Sequence, residues 1–269
     1  MAQAVNFGTY SGNAAENYEK YFVPAIGKPL APSVLDRASL QPGERVLDVA
    51  CGTGIVSRLA TEQVGTEGKV VGLDLNPGML EVARSAAPAN APVDWRQADA
   101  ESLPFRDDSF DVVLCQLGLQ FMADKPAAVA EMQRVVAPGG RIVIGVVGRI
   151  PRPFAVFEDA LTRHIGPEVG PFVGMVFSLH DEGELRDLLE GAGFREIEVH
   201  VDHRELQLPA PVEFLWQYVH STPLVGPVAQ ADDERRAALE RDVVAGWREY
   251  TENGATAVPV PMVVVTARS

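Results

Sequence analysis

A short apolar strand that runs into a glycine-rich turn is the feature of this sequence best suited to hold a reactive small molecule. Residues 46–54 read Val-Leu-Asp-Val-Ala-Cys-Gly-Thr-Gly. Gly52 and Gly54 have no Cβ atom, so the backbone can turn sharply there and a ligand can approach it closely. In an open parallel sheet, ligands bind at the carboxyl ends of the strands. The pattern therefore predicts a ligand-binding turn directly after a strand.

Two carboxylates accompany this turn in the sequence. Asp48 lies inside the strand, and Asp74 ends the next apolar run, about 20 residues beyond the glycines, where an acid can bind both ribose hydroxyls. This spacing predicts adenosine recognition. Nicotinamide dinucleotide sites share the Gly-x-Gly pattern, but Ser57 replaces their third glycine, which weakens that interpretation. Asp74 could instead cap the helix that begins near Pro77, and Asp48 could instead stabilise only the turn.

Alternating strands and helices must position these residues. Five apolar strands are predicted, at 45–50, 69–74, 93–97, 110–115 and 141–147. Helices are predicted between them at 55–63, 77–87 and 125–136. Such alternation is typical of a doubly wound α/β sheet, in which the carboxyl ends of neighbouring strands share one edge.

The second half of the chain is less regular. Segment 148–179 is dense in Pro and Gly yet contains four phenylalanines, which predicts an irregular lid. A helix at 181–190, a strand at 194–201 and a last strand at 260–267 are also predicted, with an insertion at 203–258. One helical face in that insertion carries Leu239, Val243, Val244 and Trp247, behind acidic residues 232–233 at the helix start.

Composition limits the partners of this protein. The 269-residue chain has a formal net charge of −14 and a pI near 4.8, which argues against nucleic acid or an anionic membrane surface. The sequence contains no apolar run of membrane-spanning length, so we expect a cytoplasmic protein without membrane insertion. Cys51 and Cys115 lack metal-ligand spacing, so we expect reduced thiols and no metal. A monomer and a homodimer are both compatible with the sequence.

Several motifs in the first half resemble those of the class I S-adenosylmethionine-dependent methyltransferases. They are the turn at 46–54, Val-Gly-Leu-Asp at 71–74, Gln-Ala-Asp-Ala-Glu at 97–101, Leu-Pro-Phe at 103–105, Ser-Phe-Asp-Val-Val-Leu-Cys at 109–115 and Met-Gln-Arg-Val-Val-Ala-Pro-Gly-Gly-Arg at 132–141. Within that family the sequence is most similar to the menaquinone and ubiquinone C-methyltransferases and their small-molecule relatives.

The resemblance implies an architecture for the whole chain. It implies an α/β fold with a Rossmann-like, doubly wound, seven-stranded sheet of order 3-2-1-4-5-7-6, with an antiparallel last strand and a helical lid. One methyltransferase domain would span residues 1–269. Its parts would be an N-terminal helical lid at 1–40, a cofactor-binding core at 41–147, and substrate lid insertions at 148–180 and 203–258.

The resemblance also implies which residues bind S-adenosylmethionine. Gly52 and Gly54, beside Ala50, would approach the methionine part, Asp48 would hold the turn and the amino group, and Asp74 would bind the ribose. The other implied contacts are Leu75 and Met79 on the adenine face, Asp99 and the amide of Ala100 on the adenine edge, the backbone of Gln116 at the amino group, and Tyr18 as a lid.

Residues for the methyl acceptor are predicted from the lid and the insertion. If the acceptor must lose a proton, the candidate bases are His164, His180 and His220, each of which could equally be a surface or packed histidine. The predicted acceptor-binding residues are Tyr21, Gln120, Phe154, Phe177, Phe214 and Trp216. For the aromatic residues, simple packing is the alternative.

These features predict transfer of a methyl group from S-adenosylmethionine to a small, largely apolar acceptor such as a quinol, a phenol or a secondary metabolite, leaving S-adenosylhomocysteine. A dry apolar pocket favours reaction of an anionic nucleophile with a cationic sulfonium, because charge is neutralised in the transition state. Two alternatives stay open: a protein that binds S-adenosylmethionine without moving its methyl group, as a cyclase or a sensor, and an NAD-dependent oxidoreductase.

Overall fold

A central sheet organises the structure, a computed structural model that describes residues 13–88 and 93–269. Residues 1–12 of the predicted N-terminal lid lie outside the described residues. The strands are β1 (Arg45–Val49), β2 (Lys69–Asp74), β3 (Val93–Gln97), β4 (Phe110–Gln116), β5 (Val136–Val147), β6 (Arg195–Leu208), β7 (Thr251–Glu252) and β8 (Ala255–Arg268).

The strand order confirms the predicted Rossmann-like sheet. Neighbouring strands follow the order β3-β2-β1-β4-β5-β8-β6, and the two-residue β7 pairs with β8. The first five strands in this order run parallel, whereas β8 runs antiparallel to both β5 and β6. Apart from the added β7, this is the predicted arrangement.

The strand order reverses between β1 and β4, and this reversal creates the cleft. Val46 pairs with Val112, and Asp48 pairs with Leu114, so the two strands end side by side. From β1 the chain continues to one side of the sheet, and from β4 it continues to the other. Loops that leave such a reversal point diverge and leave a crevice at the carboxyl ends of the strands.

Helices cover both faces of this sheet. The N-terminal part forms three consecutive helical segments, α1 (Ala14–Asn17), a π-helical segment (Tyr18–Gly27) and α2 (Lys28–Ala38). The core helices are α3 (Ile55–Val64), α4 (Pro77–Ala86), α5 (Lys125–Val135) and α8 (Glu182–Gly191). The remaining helices are α6 (Arg152–His164), α7 (Pro171–Val176), α9 (Pro211–His220), α10 (Val225–Gln230) and α11 (Asp233–Trp247), with 3-10 turns at Leu119–Phe121 and Arg248–Tyr250.

Two apolar clusters hold the layers together. Because side chains alternate along a strand, Val46 and Leu47 of β1 face opposite sides of the sheet. Leu47 packs in a cluster with Met132 of α5, whereas Val46 packs in a cluster that extends to Leu30 of α2 and Trp247 of α11. The elements beyond β5 therefore share a core with the strands that carry the turn.

The prediction that segment 148–179 is irregular is wrong, because the segment contains α6 and α7, whereas its role as a lid stays a prediction. Pro153 and Pro171 occupy the first positions of these helices, where a missing backbone N–H costs no hydrogen bond. Phe157 and Phe172, which follow these prolines in the two helices, are buried. The prolines therefore start helices here and do not disrupt them.

The predicted boundaries of the insertion are also corrected. Strand β6 continues to Leu208 and β8 begins at Ala255, so the inserted segment is 209–254. The pairing of β6 with β8 continues through Arg204, which lies opposite Val260. The polar residues and prolines of this stretch had led us to predict a loop. On α11, Val244 is 36% exposed, so it lies off the buried helical face to which we assigned it.

Both Cys51 and Cys115 are buried and form no disulfide. Burial raises the pKa of Cys115 to about 12 and that of Cys51 well above its usual value. Neither thiol is therefore a nucleophile at neutral pH.

Substitution of Trp247 by Ala should destabilise the protein by about 3–5 kcal/mol. The side chain is fully buried, and its Nε1 donates to the Pro153 carbonyl at 2.7 Å. Urea unfolding measures this loss. The matched Trp247→Phe variant keeps most of the ring and should lose less than Trp247→Ala. Equal stability of wild type and Trp247→Ala would show that α11 does not share the core.

Candidate functional site

The turn after β1 has an unusual backbone. Ala50, Gly52 and Gly54 have φ angles of 56°, 56° and 84°. The left-handed region is open to glycine but unfavourable for a residue with a Cβ, so Ala50 is strained. The amide of Gly54 donates to the Cys51 carbonyl at 2.9 Å, and α3 begins at Ile55. The backbone thus changes direction in the five residues between the end of β1 and the start of α3.

The two glycines of the turn serve different purposes. A Cβ atom at Gly52 would lie 3.7 Å from Cε1 of Tyr18, an ordinary contact distance. A Cβ atom at Gly54 would lie 2.2 Å from Cη2 of Trp95, which is a severe clash. Gly54 therefore makes room for the indole ring of Trp95 on β3, a role that the sequence did not reveal. That Gly52 and Gly54 also let a ligand approach the backbone stays a prediction.

Asp74 fastens the turn to the neighbouring strand. Its Oδ2 accepts the amide of Gly52 at 2.8 Å, and its Oδ1 accepts the amide of Asn76 at 2.9 Å. Burial raises the pKa of Asp74, and these backbone hydrogen bonds oppose the effect. The cap of α4 is Asn76, whose side chain accepts from Gly78, so the alternative of Asp74 as the helix cap is wrong.

Asp48 lies deeper, under the turn. It is 1% exposed, and its Oδ2 accepts the hydroxyl of Ser57 at 2.6 Å. Burial raises the pKa of Asp48 to about 7, although the Ser57 hydrogen bond favours the charged form. Asp48 thus anchors α3 to β1, while the turn amide itself is held by Asp74. Sequence reasoning treated Ser57 only as a departure from the dinucleotide pattern, and missed that it is the partner of Asp48.

The N-terminal π-helical segment covers the turn. Tyr18 lies over Gly52 and stacks on Phe22 with ring centroids 4.4 Å apart. Arg58 on α3 donates from Nη2 to Glu19 at 2.7 Å and from Nη1 to the Thr53 carbonyl at 2.6 Å. This network ties the cover to the turn. Sequence reasoning missed Glu19 and Arg58, because nothing in their local sequence signals a contact across 39 positions.

The segment after β4 forms the other side of the cleft. The side chain of Gln116 donates from Nε2 to the Gly27 carbonyl at 3.0 Å. Leu117 has a φ of 55°, and a Cβ atom at Gly118 would lie only 2.6 Å from Cβ of Ala50. The ends of β1 and β4 are therefore in direct contact. Gln120, in the 3-10 turn that follows, is 3% exposed.

Unpartnered polar atoms gather at this cleft. Among the buried side-chain atoms of residues 13–88 and 93–269, six have no hydrogen-bond partner. Five of them belong to the turn, its cover or the segment after β4: Thr53 Oγ1, Glu19 Oε2, Gln116 Oε1, and both amide atoms of Gln120. An unpaired buried polar atom costs about 1–3 kcal/mol. A polar ligand that pairs with these atoms would recover that cost.

The residues expected at adenine lie along the ends of β2 and β3. Asp74 pairs with Gln97 in the sheet register, which places Leu75 beside the segment that contains Asp99 and Ala100. Leu75 is 54% exposed, although it is a large apolar side chain. Asp99 is exposed, and its Oδ1 accepts the amide of Glu101 at 2.9 Å. Met79 is buried on α4 and Ala100 is buried beside Asp99, while the exposed Leu75 offers an apolar face to a planar ligand.

The predicted acceptor-binding residues separate into two groups. Phe154 lies 5.3 Å from Phe177 and 6.0 Å from Phe214, so these three rings form one buried cluster. Tyr21 lines a crevice that Phe214 also lines. Trp216 is different, because its Nε1 donates to Glu240 of α11 at 2.9 Å. The contact of Trp216 is that of an aromatic residue that docks one helix on another.

The three candidate bases are not brought together. His164 Nε2 lies 2.8 Å from Oδ2 of Asp242, which also pairs with Arg163. His180 Nδ1 lies 2.8 Å from the Phe177 carbonyl, and His220 is exposed at the end of α9. Within the described residues, no hydrogen bond or ion pair joins any of them to the turn after β1 or to Gln116 and Gln120.

Comparison with known proteins agrees with this geometry. Residues 47–144 match the family described as "Methyltransferase domain". The nocamycin O-methyltransferase of Saccharothrix syringae is 30% identical over 258 residues, which is 90% of this chain and 91% of that protein. The chain belongs to the class I S-adenosylmethionine-dependent methyltransferases. The resemblance inferred from the motifs is confirmed, and the alternative of an NAD-dependent oxidoreductase is wrong.

Two further proteins similar to this chain are also methyltransferases by name. The ubiquinone/menaquinone biosynthesis C-methyltransferase of Cupriavidus metallidurans is 32% identical over 174 residues, covering 60% of this chain and 72% of that protein. The crystal structure of a candidate methyltransferase from Bacillus halodurans C-125 has a TM-score of 0.60 at 22% identity, and the match covers 88% of this chain and 97% of that one. At this identity the structural match shows a shared fold.

The part of the methyltransferase that the structure describes has neither a metal-binding cluster nor a membrane-spanning helix. Within the described ranges, no cluster of three or more His, Cys, Asp and Glu side chains is arranged to hold a metal ion. None of the helices in those ranges is long and apolar enough to span a membrane.

Replacement of Gly54 by Ala should destabilise the methyltransferase by more than replacement of Gly52. Both changes place a Cβ at positive φ, which costs about 1 kcal/mol, but only the change at Gly54 also displaces Trp95. Urea unfolding of the two variants gives the difference. Combining Gly54→Ala with Trp95→Leu should recover part of the loss. Equal destabilisation by the two glycine variants would contradict the role assigned to Trp95.

Replacement of Asp48 by Asn should change how stability depends on pH. The folded protein keeps the Asp48 proton up to about pH 7, whereas an unfolded aspartate releases it near its ordinary pKa of about 3.9. Between these values the folded state binds more protons, so the free energy of unfolding of the wild type should fall relative to the variant as pH rises, by at most about 1.4 kcal/mol per pH unit.

Urea unfolding of both proteins between about pH 4 and pH 8 measures this difference. Above about pH 7 the two curves should run parallel. Curves that stay parallel over the whole range would show that Asp48 is ionised throughout.

Proposed function

We propose that this protein transfers the methyl group of S-adenosylmethionine to a small, largely apolar acceptor, such as a quinol, a phenol or a secondary metabolite. The observation that carries the proposal is the set of unpartnered polar atoms on Thr53, Gln116 and Gln120 at the adjoining ends of β1 and β4. Family membership supplies the reaction type. The acceptor follows from the aromatic surroundings of the cleft and from the acidic charge of the chain.

The residues around the turn fit the chemistry of S-adenosylmethionine. Each carboxylate oxygen of Asp74 accepts one protein hydrogen bond, so lone pairs remain for ribose hydroxyls. Exposed Leu75 would offer an apolar face to adenine, and Asp99 and the Ala100 amide would offer a polar edge. Ala50, Gly52 and the Gln116 backbone would border the methionine part, and Tyr18 would cover it.

Bound S-adenosylmethionine supplies an electrophilic methyl group, so the protein needs to align the acceptor and exclude water. The π-helical segment, held to the turn through Arg58, closes one side of the cleft. Phe154, Phe177 and Phe214 would give the acceptor an apolar wall, with Tyr21 at its edge. Gln120 would orient a polar atom of the acceptor, because both ends of its amide lack a partner.

A proton acceptor is needed only if the nucleophile arrives protonated. His164 and His180 are engaged by Asp242 and by the Phe177 carbonyl. His220 ends the helix that carries Phe214, and its carbonyl accepts from Asn17 of α1 at 3.2 Å. All three histidines therefore remain candidate bases, because a hydrogen bond at one ring nitrogen leaves the other nitrogen available to accept a proton.

Replacement of Asp74 by Asn should weaken binding of S-adenosylhomocysteine by about tenfold or more, because an amide cannot accept hydrogen bonds at both ends. Isothermal titration calorimetry measures the affinity, and circular dichroism checks that the variant is folded. The matched control is Asp94→Asn on β3, whose side chain pairs with Arg96 at an exposed position. A folded Asp74→Asn variant with wild-type affinity would contradict the ribose assignment.

The reaction itself is tested by incubating the protein with S-adenosylmethionine and a panel of quinols, phenols and hydroxylated secondary metabolites. Acceptor-dependent formation of S-adenosylhomocysteine supports methyl transfer. Tight binding of the cofactor without that product across the panel would instead favour the cyclase or sensor alternative. Absence of cofactor binding would refute the proposal.

A further inference from the structure

A narrow crevice separates the π-helical segment from α9. Its empty space is about 170 Å³ including the part open to solvent, and its walls lie too close together to admit a water molecule, so an acceptor can enter only when the π-helical segment moves away from α9. Tyr21, Phe22 and Ile26 line one wall, and Phe214 and Tyr218 line the other. Phe22 stacks on Tyr18, which lies over the glycine turn, so the crevice opens beside the proposed cofactor site.

Tyr218 has a polar group that the fold does not use. The residue is 4% exposed, and the rings of Phe22, Phe154, Phe157 and Phe214 lie within 6.2 Å of its ring, centroid to centroid. Among the residues that the structure describes, none forms a hydrogen bond with its hydroxyl; the hydrogen bonds at Tyr218 are made by its backbone carbonyl. Burial raises the pKa of the Tyr218 phenol, so it stays a neutral donor at physiological pH.

Two nearby tryptophan side chains, unlike Tyr218, have hydrogen-bond partners for their polar atoms. The indole of Trp247 donates to the Pro153 carbonyl at 2.7 Å, and that of Trp216 donates to Glu240 at 2.9 Å. Buried Tyr and Trp side chains usually find such a partner. Tyr218 thus differs from both tryptophans, because its polar group has no hydrogen-bond partner among the described residues. It also lines the crevice next to the glycine turn.

We infer that the Tyr218 hydroxyl binds an oxygen or nitrogen atom of the methyl acceptor, and that the acceptor carries this atom on an aromatic ring held between the π-helical segment and α9. The inference rests on the proposed methyl transfer and names the acceptor chemistry. Phenylalanine rings on both walls suit an aromatic ring, and the neutral phenol suits an atom with a lone pair. A polar group set among apolar rings in this way favours acceptors that can pair with it over analogues that cannot.

The inference is tested with phenol and with toluene, which carries a methyl group in place of the hydroxyl group of phenol. Their affinities for wild type and for Tyr218→Phe are measured by ligand-observed NMR titration, with and without S-adenosylhomocysteine. Wild type should bind phenol about 2- to 10-fold more tightly than the variant does, which is the usual worth of one hydrogen bond. Toluene should bind both proteins equally.

Tyr250→Phe is the matched control, because it removes the same hydroxyl from a residue outside the crevice and should leave both affinities unchanged. Equal binding of phenol to wild type and Tyr218→Phe, or no binding of phenol to wild type, would overturn the inference.

Thermal unfolding separates binding from a structural role. Since the hydroxyl has no partner in the fold, Tyr218→Phe should unfold at the same temperature as wild type or higher. A lower midpoint would show that the hydroxyl stabilises the fold and would contradict the inference. Failure of S-adenosylhomocysteine to bind wild type would refute the proposed function. The phenol and toluene titrations made in the absence of S-adenosylhomocysteine would still decide the role of Tyr218.

Discussion

The carboxylate of Asp74 determines the shape of the whole site. By accepting the Gly52 amide and the Asn76 amide, it ties the turn after β1 to the start of α4. The parallel pairing of Val49 with Leu73 brings the two strand ends to the distance at which one side chain can reach both. Three residues with positive φ can then hold one conformation, and the segment after β4 and the π-helical cover pack against it.

The site is energetically expensive, and the rest of the fold offsets the cost. Asp48 is buried with a pKa of about 7, Ala50 is held in a left-handed conformation, and both amide atoms of Gln120 lack partners. Two apolar clusters, one on each face of the sheet, supply the compensating stability. Concentrating strain and unpaired polar groups at one edge of a sheet is what a binding site requires, because only there can a ligand satisfy them.

The cofactor half of the site could be predicted from the sequence because its signals are local. The apolar run before the turn, the glycines and Asp74 each follow from neighbouring residues, and strands β2 and β3 occur at the predicted positions. The role of Gly54 could not be predicted, because it depends on Trp95, which is distant in the sequence. The same holds for the Glu19–Arg58 pair. In the second half, prolines at helix starts and polar residues along the edge strand β6 concealed α6, α7 and the ends of β6 and β8.

The form of the cover has a consequence for ligand exchange. Residues Tyr18–Gly27 wind as a wide helix with Pro24 inside it, and a proline lacks the amide that would close the turn around it. Regular α-helical segments flank it on both sides, and its Tyr18 lies directly above the turn. Unwinding this stretch uncouples Tyr18 and Phe22 from their contacts while α2 stays packed on the sheet. We therefore expect ligands to enter and leave by local unwinding of these ten residues.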